Sequence, residues 1–170
     1  LFDVVFSLSV IVFVLSWLVP LLCVFIIVDL KSSPFFVQKR VGKNGKVFHC
    51  FKLRSMKKNS FQHQIPAQID DDRITKFGAF IRKYALDELP QFFNVLLGDM
   101  SVVGPRPLML SDEEKFNELI PNFSSRLVMK PGITGFAQAF GYKGYVGSRV
   151  DIANRYRLDK KYSQIQSLWL

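Results

Sequence analysis

The sequence predicts an α+β fold, mostly helical, with an N-terminal membrane helix broken at a proline, a small β-hairpin and amphipathic helices at a membrane surface. Three observations predict it. Val4 to Val28 runs for 25 residues without a charge. Beyond it, two strand-like runs flank an Asn-Gly turn. From Ile74 onward, apolar residues recur at helical spacing. A chain of 170 residues suffices for one domain with a core. The organisation expected is therefore residues 1–30 in the membrane and 31–170 as one domain outside it. The chain opens on Leu1 rather than Met and stops abruptly at Leu170, which reads as a fragment at both ends.

The apolar run holds only Ser7, Ser9 and Ser16 as polar side chains. As a straight helix it would measure about 37 Å, more than the roughly 30 Å hydrocarbon core. It is too long for a signal peptide, and no small-residue cleavage site follows. Pro20 sits well inside, removing one hydrogen bond and crowding the carbonyl of Ser16. Two topologies remain open on composition alone. One is a kinked span; the other is a re-entrant hairpin that dips into one leaflet and returns to the same face, with Ser16 helping to satisfy freed backbone groups.

Past the membrane, Pro34–Gln38 and Lys46–Leu53 are expected as strands around a turn at Gly42–Gly45. Asn59 to Asp72 is polar, carries Pro66, and reads as a loop. A helix is expected from Ile74 to Leu86, with Phe77 and Ile81 on its apolar face. A second is expected from Glu88 to Leu97, with Pro90 in its first turn and Gly98 just past its end. Asp112–Ile120 and the stretch from Ile152 onward complete the helices. The 17 Phe residues imply that some faces lie on a bilayer rather than in a core.

The net charge of +9 is unevenly spread. Between Lys31 and Lys58 there are nine basic residues and no acidic one. Such a block points to anionic partners: phosphates, lipid headgroups or nucleic acid. It also assigns the region after the apolar run to the cytoplasm. Cys23 and Cys50 make a poor disulfide pair, and His49 and His63 have no partners at zinc-ligand spacing. Asp70-Asp71-Asp72 is a solvated run rather than a metal site.

Asp87-Glu88 is the most informative pair. Adjacent side chains do not share a helix face, so the two carboxylates suit divided roles, one toward a substrate and one toward a metal or proton. The plainer reading makes Asp87 an N-cap with Glu88 complementing the helix dipole. Arg106, between Pro105 and Pro107, is presented from a stiff turn and suits bidentate phosphate contact. The alternative is a surface turn in which it pairs with Asp99. Lys52 and Arg54 share one face of a strand. They are candidates for phosphate contact, beside the reading as solvated or headgroup-facing charge. Lys130-Pro131-Gly132-Ile133-Thr134-Gly135 is a tight loop that could bring backbone close to a ligand.

Five motifs occur in order: Gln38-Lys39-Arg40-Val41-Gly42; Phe51-Lys52-Leu53-Arg54-Ser55-Met56; Leu86-Asp87-Glu88-Leu89-Pro90-Gln91; Gly98–Pro107; and Lys130–Gly135. Together they resemble the bacterial sugar transferases, the monotopic phosphoglycosyl transferases, over nearly the whole chain. The resemblance implies transfer of a sugar-1-phosphate from a UDP-sugar to undecaprenyl phosphate with release of UMP. It implies Asp87 as the nucleophile on the β-phosphorus, and Glu88 as a Mg²⁺ ligand or handler of the acceptor's proton, with Asp87 beside the same metal. Arg82 and Arg106 match phosphate-holding arginines, and Asp159 matches a late family carboxylate. The membrane segment becomes re-entrant, although Val19-Pro20 stands where the family has Ser-Pro. The site would then lie on the cytoplasmic face of a bacterial inner membrane, partnered by lipid and not by nucleic acid. Two rivals from other classes are a non-catalytic, membrane-anchored basic domain and a Mg²⁺-dependent phosphohydrolase.

Overall fold

The computed structural model describes residues 1–58, 71–142 and 148–167. The expected loop at 59–72 therefore lies largely outside the described residues, as do Pro66, His63 and Asp70. The chain forms two compact units. One comprises Leu1–Gln38 and His49–Leu97, the other Lys39–Phe48 and Gly98–Leu170. The architecture is the mostly helical α+β fold expected, with an apolar N-terminal helix and a small hairpin.

In the first unit the apolar segment is helical from Phe2 to Leu30. It comprises α1 (Phe2–Val10), a wider π turn at Ile11–Leu15 and α2 (Ser16–Leu30). Pro20 lies inside α2, with helix on both sides of it. The departure from regular geometry thus falls upstream of the proline, where the sequence analysis did not expect it. Side chains serve the carbonyls there. Ser16 Oγ donates to Val12 O at 2.7 Å, and Trp17 Nε1 donates to Phe13 O at 2.9 Å. Both acceptors lie in the π turn, where the normal bonding ladder is disturbed.

This segment packs along its length on the rest of its own unit. α1 contacts α4 (Gln91–Leu96), with Phe6 and Phe92 ring centroids 6.1 Å apart. Leu22 and Ile26 of α2 are buried with Leu53 and Ile81, flanked by Leu18, Val19, Phe77, Leu86 and Leu89. Elsewhere the segment exposes Phe2, Val5, Phe13, Trp17, Val24, Phe25 and Val28. It is the one helix among the described residues long and apolar enough to cross a membrane. α3 (Lys76–Lys83) is capped by Thr75, whose Oγ1 accepts from Gly78 N at 2.9 Å and donates to Asp29 at the end of α2.

The hairpin strands are β1 (Phe35–Val41) and β2 (Val47–Leu53). Asn44 and Gly45 carry the two positive φ angles of the turn, 54° and 77°, as the Asn-Gly signal requires. In the first unit, Asn94 of α4 is fully buried and bonds the strand as a third strand would. Its Oδ1 accepts from Phe51 N and its Nδ2 donates to His49 O.

The second unit contains β3 (Ser101–Val103) and β4 (Gly132–Thr134), paired in parallel and unforeseen from sequence. A Cβ on Gly104 or Gly132 would overlap the other's backbone, so both positions demand glycine. Next come α5 (Leu110–Leu119), a 3₁₀ stretch at Phe123–Val128, α6 (Phe136–Ala139) and α7 (Arg149–Ser167). Leu108, Phe116, Phe123 and Ile152 form the core here, with Tyr156 against it.

Candidate active site

The Asp87-Glu88 pair sits on a single 3₁₀ turn, Leu86–Glu88, between two backbone constraints. Ala85, before it, is left-handed at φ 55°. Pro90, after it, has no N–H and so cannot extend the turn backward into an α-helix. The helix expected from Glu88 consequently begins only at Gln91, and no side chain caps it. That removes the N-cap reading of Asp87. Gly98 does follow the helix in the left-handed region, at φ 85°.

Both carboxylates are buried. Lys52 Nζ, from β2, donates to Glu88 Oε1 at 2.8 Å. Strand and turn thus bring together two residues that are 36 positions apart. Arg82, on the last turn of α3, donates from Nη1 to Ser55 Oγ at 3.4 Å and approaches Met56 Sδ. Arg54 is tied to the entry of β1 instead. Its Nε and Nη2 donate to the carbonyls of Ser33 and Phe35, and its guanidinium lies over the Phe36 ring.

Arg106 and Asp159 belong to the second unit, beside buried residues the sequence analysis missed. Arg126 is 1% exposed; it donates through Nη1 to the carbonyl of Arg106 and through Nη2 to Glu113. Arg126 therefore pins the Pro-Arg-Pro turn from within, leaving the half-buried Arg106 side chain to be presented by a fixed backbone. Asp159 Oδ2 lies 3.7 Å from Arg126 Nη1. Burial pushes the Asp159 carboxyl up to about 6, against the pull of Arg126 and Arg155. Of the missed residues, Arg155 had a faint signal: it falls at helical spacing from Ile152, on the core-facing side of α7.

The first unit thus holds two buried carboxylates beside a lysine, and the second an arginine on a braced proline turn. The chain belongs to the bacterial sugar transferase family, whose model matches residues 1–170. It is 43% identical over 144 residues to a UDP-glucose:undecaprenyl-phosphate glucose-1-phosphate transferase of Xanthomonas campestris pv. campestris, covering 82% of this chain and 30% of that protein. It is 45% identical over 136 residues to a UDP-N-acetylgalactosamine-undecaprenyl-phosphate N-acetylgalactosaminephosphotransferase of Aeromonas hydrophila, covering 79% and 32%. A putative undecaprenyl-phosphate N-acetylgalactosaminyl 1-phosphate transferase of Bacillus subtilis (strain 168) is 48% identical over 112 residues, covering 64% and 63%. The chain spans about a third of the length of the first two relatives.

Proposed function

We propose that this chain transfers a sugar-1-phosphate from a UDP-sugar to undecaprenyl phosphate at the cytoplasmic face of a bacterial membrane. The observation that carries the reading is the buried Asp87-Glu88 turn with Lys52 on Glu88. An ionised Asp87 oxygen attacks the β-phosphorus, forming an aspartyl–phosphosugar bond as the P–O bond to UMP breaks. An oxygen of the lipid phosphate then attacks the same phosphorus, and Asp87 leaves as carboxylate. One nucleophile thereby serves both substrates in turn. Lys52 holds Glu88 by one oxygen and fixes its direction. Arg82 and Arg106 are the cations that the family resemblance assigns to phosphate oxygens, and planar guanidinium suits that task.

Mg²⁺ fits the donor set. Such an ion is commonly held by one or two carboxylates, with phosphate and water completing its shell. Asp87 and Glu88 would hold it, and among the described residues no group of three or more acidic, His or Cys side chains could hold a metal. When bound, the ion supplies charge neutralisation for phosphoryl transfer.

The membrane segment is proposed to be monotopic, entering and leaving on one face. The packing of both α1 and α2 on the same unit supports this, and the basic block from Lys31 to Lys58 makes that face the cytoplasmic one. The decisive experiment measures UMP release by the purified chain from a panel of UDP-sugars, with and without a polyprenyl phosphate. Release of UMP with formation of lipid-linked sugar phosphate is expected. Inorganic phosphate release without need of lipid would instead identify a phosphohydrolase, and no turnover with any donor would leave a binding domain.

A further inference from the structure

Arg155, on α7, is 2% exposed. Its Nε and Nη2 have no hydrogen-bond partner among the described residues. These two nitrogens form one edge of the guanidinium, the parallel fork that grips two oxygens of a phosphate. Arg126 Nε is likewise buried without a partner. A buried cation left without a hydrogen-bonded anion costs several kcal/mol in general, so such a group needs a reason to persist.

The charges around it do not provide the missing partner. Arg155 feels Arg126, Asp159, Arg106 and Asp112, two cations against two carboxylates. Arg126 is already bonded to Glu113. Asp159 Oδ2 accepts no hydrogen bond from any described residue, and its carboxyl is drawn toward the neutral form. Asp112 is likewise pushed up by burial, with Arg40 and Arg155 pulling the other way. Burial, then repulsion by Arg126, lowers Arg155 to about 9. Since an arginine stays protonated in proteins, a guanidinium held charged against that burial gains from any anion that reaches it.

We propose that Arg155 is a phosphate-binding residue of the second unit, its Nε–Nη2 edge receiving two oxygens of a phosphate group that enters past the half-buried Arg106. Burial away from water makes each such bond stronger than on the surface. The proposal rests on the transferase reading only in taking the phosphate to be the nucleotide's. Lipid phosphate has the same chemistry and is the other source to distinguish.

The test uses the full chain in detergent, with thermal unfolding and calorimetric titration against UMP, inorganic pyrophosphate, uridine and farnesyl phosphate. The wild-type midpoint should rise with UMP and pyrophosphate and stay fixed with uridine. Arg155→Met should unfold at or above the ligand-free wild-type midpoint, because it removes an uncompensated buried charge, and should lose the rise with anions. Arg155→Lys keeps the charge without the fork, so affinity should fall by about tenfold. A response to farnesyl phosphate alone would support the phosphate site and assign its source to the acceptor. Equal anion responses in wild type and Arg155→Met would overturn the proposal. Should Arg155→Met fail to fold, unchanged anion affinity in Arg155→Lys would overturn it equally. A wild type that releases no UMP yet keeps an Arg155-dependent anion response would sink the transferase reading and support the phosphate site.

Discussion

Asp87 does not cap a helix, so its carboxylate can be removed without disturbing the start of α4. Asp87→Asn should fold like wild type while UMP release falls by at least about a thousandfold. Labelled UDP-sugar without lipid should mark the wild type and not the variant. Appreciable turnover in the Asp87→Asn variant would end the nucleophile assignment. Arg106→Lys should act as a non-conservative change, lowering kcat/KM for the donor clearly, with Arg106→Ala lower still. Wild-type kinetics in both variants would reduce Arg106 to a turn residue. Asp159 supplies a pH test. A carboxyl raised from 3.8 to about 6 on folding takes up a proton between those values, so its contribution to stability declines as pH climbs through that window. Asp159→Asn should therefore unfold at a higher midpoint than wild type at pH 7.5, and the gain should shrink by pH 5. A difference independent of pH would show that Asp159 acts through its contact with Arg126 rather than its own ionisation. Asp87, Glu88 and Arg106 were visible in sequence because rare local chemistry marks them. The Lys52–Glu88 and Arg126–Glu113 pairs were not, since each joins residues that only the folded chain brings together.

At the scale of elements, the turn before α4 shows where local pattern succeeds and where it fails. Helical periodicity and Gly98 announced a helix, but the register of its first turn was decided by two backbone facts that periodicity does not carry. One is Pro90, whose missing N–H leaves the Leu86–Glu88 turn as 3₁₀. The other is Ala85, held left-handed at φ 55° without being glycine. The hairpin was legible because Asn-Gly states its own φ angles. The β3–β4 pair was not, because three-residue strands have no measurable alternation and parallel partners lie far apart in sequence. Ala85 itself is testable. A left-handed alanine costs about 1 kcal/mol or more, and glycine returns part of that as chain entropy. Ala85→Gly should therefore gain roughly 0.5 kcal/mol in denaturant unfolding. Because the turn then holds the carboxylates less tightly, kcat should fall. Ala85→Val, β-branched where φ is positive, should lose about 2 kcal/mol. If all three residues gave the same stability, the left-handed geometry at this position would be refuted.

Across the whole molecule, the question that composition left open was how an apolar stretch of 25 residues meets the bilayer. Its length permits a span, and Pro20, the expected break, lies within continuous helix. What favours a monotopic arrangement is packing. A straight span would bury roughly 30 Å of helix in hydrocarbon and leave only one end beside the folded part. Here Phe6 meets Phe92 near one end of the segment, and Ile26 is buried with Leu53 and Ile81 near the other. The exposed side of the segment is apolar along the same length, and α4 adds exposed Phe93 and Leu96. Such a surface fits lying in one leaflet with the helix still docked. Phe2 and Ser33 are both accessible, so Phe2→Cys and Ser33→Cys can be introduced singly after replacing Cys23 and Cys50. In intact cells an impermeant thiol reagent should label neither position, and after permeabilisation it should label both. Labelling at position 2 but not at 33 in intact cells would establish a span. It would also mean that the contact between α1 and α4 does not survive in the membrane.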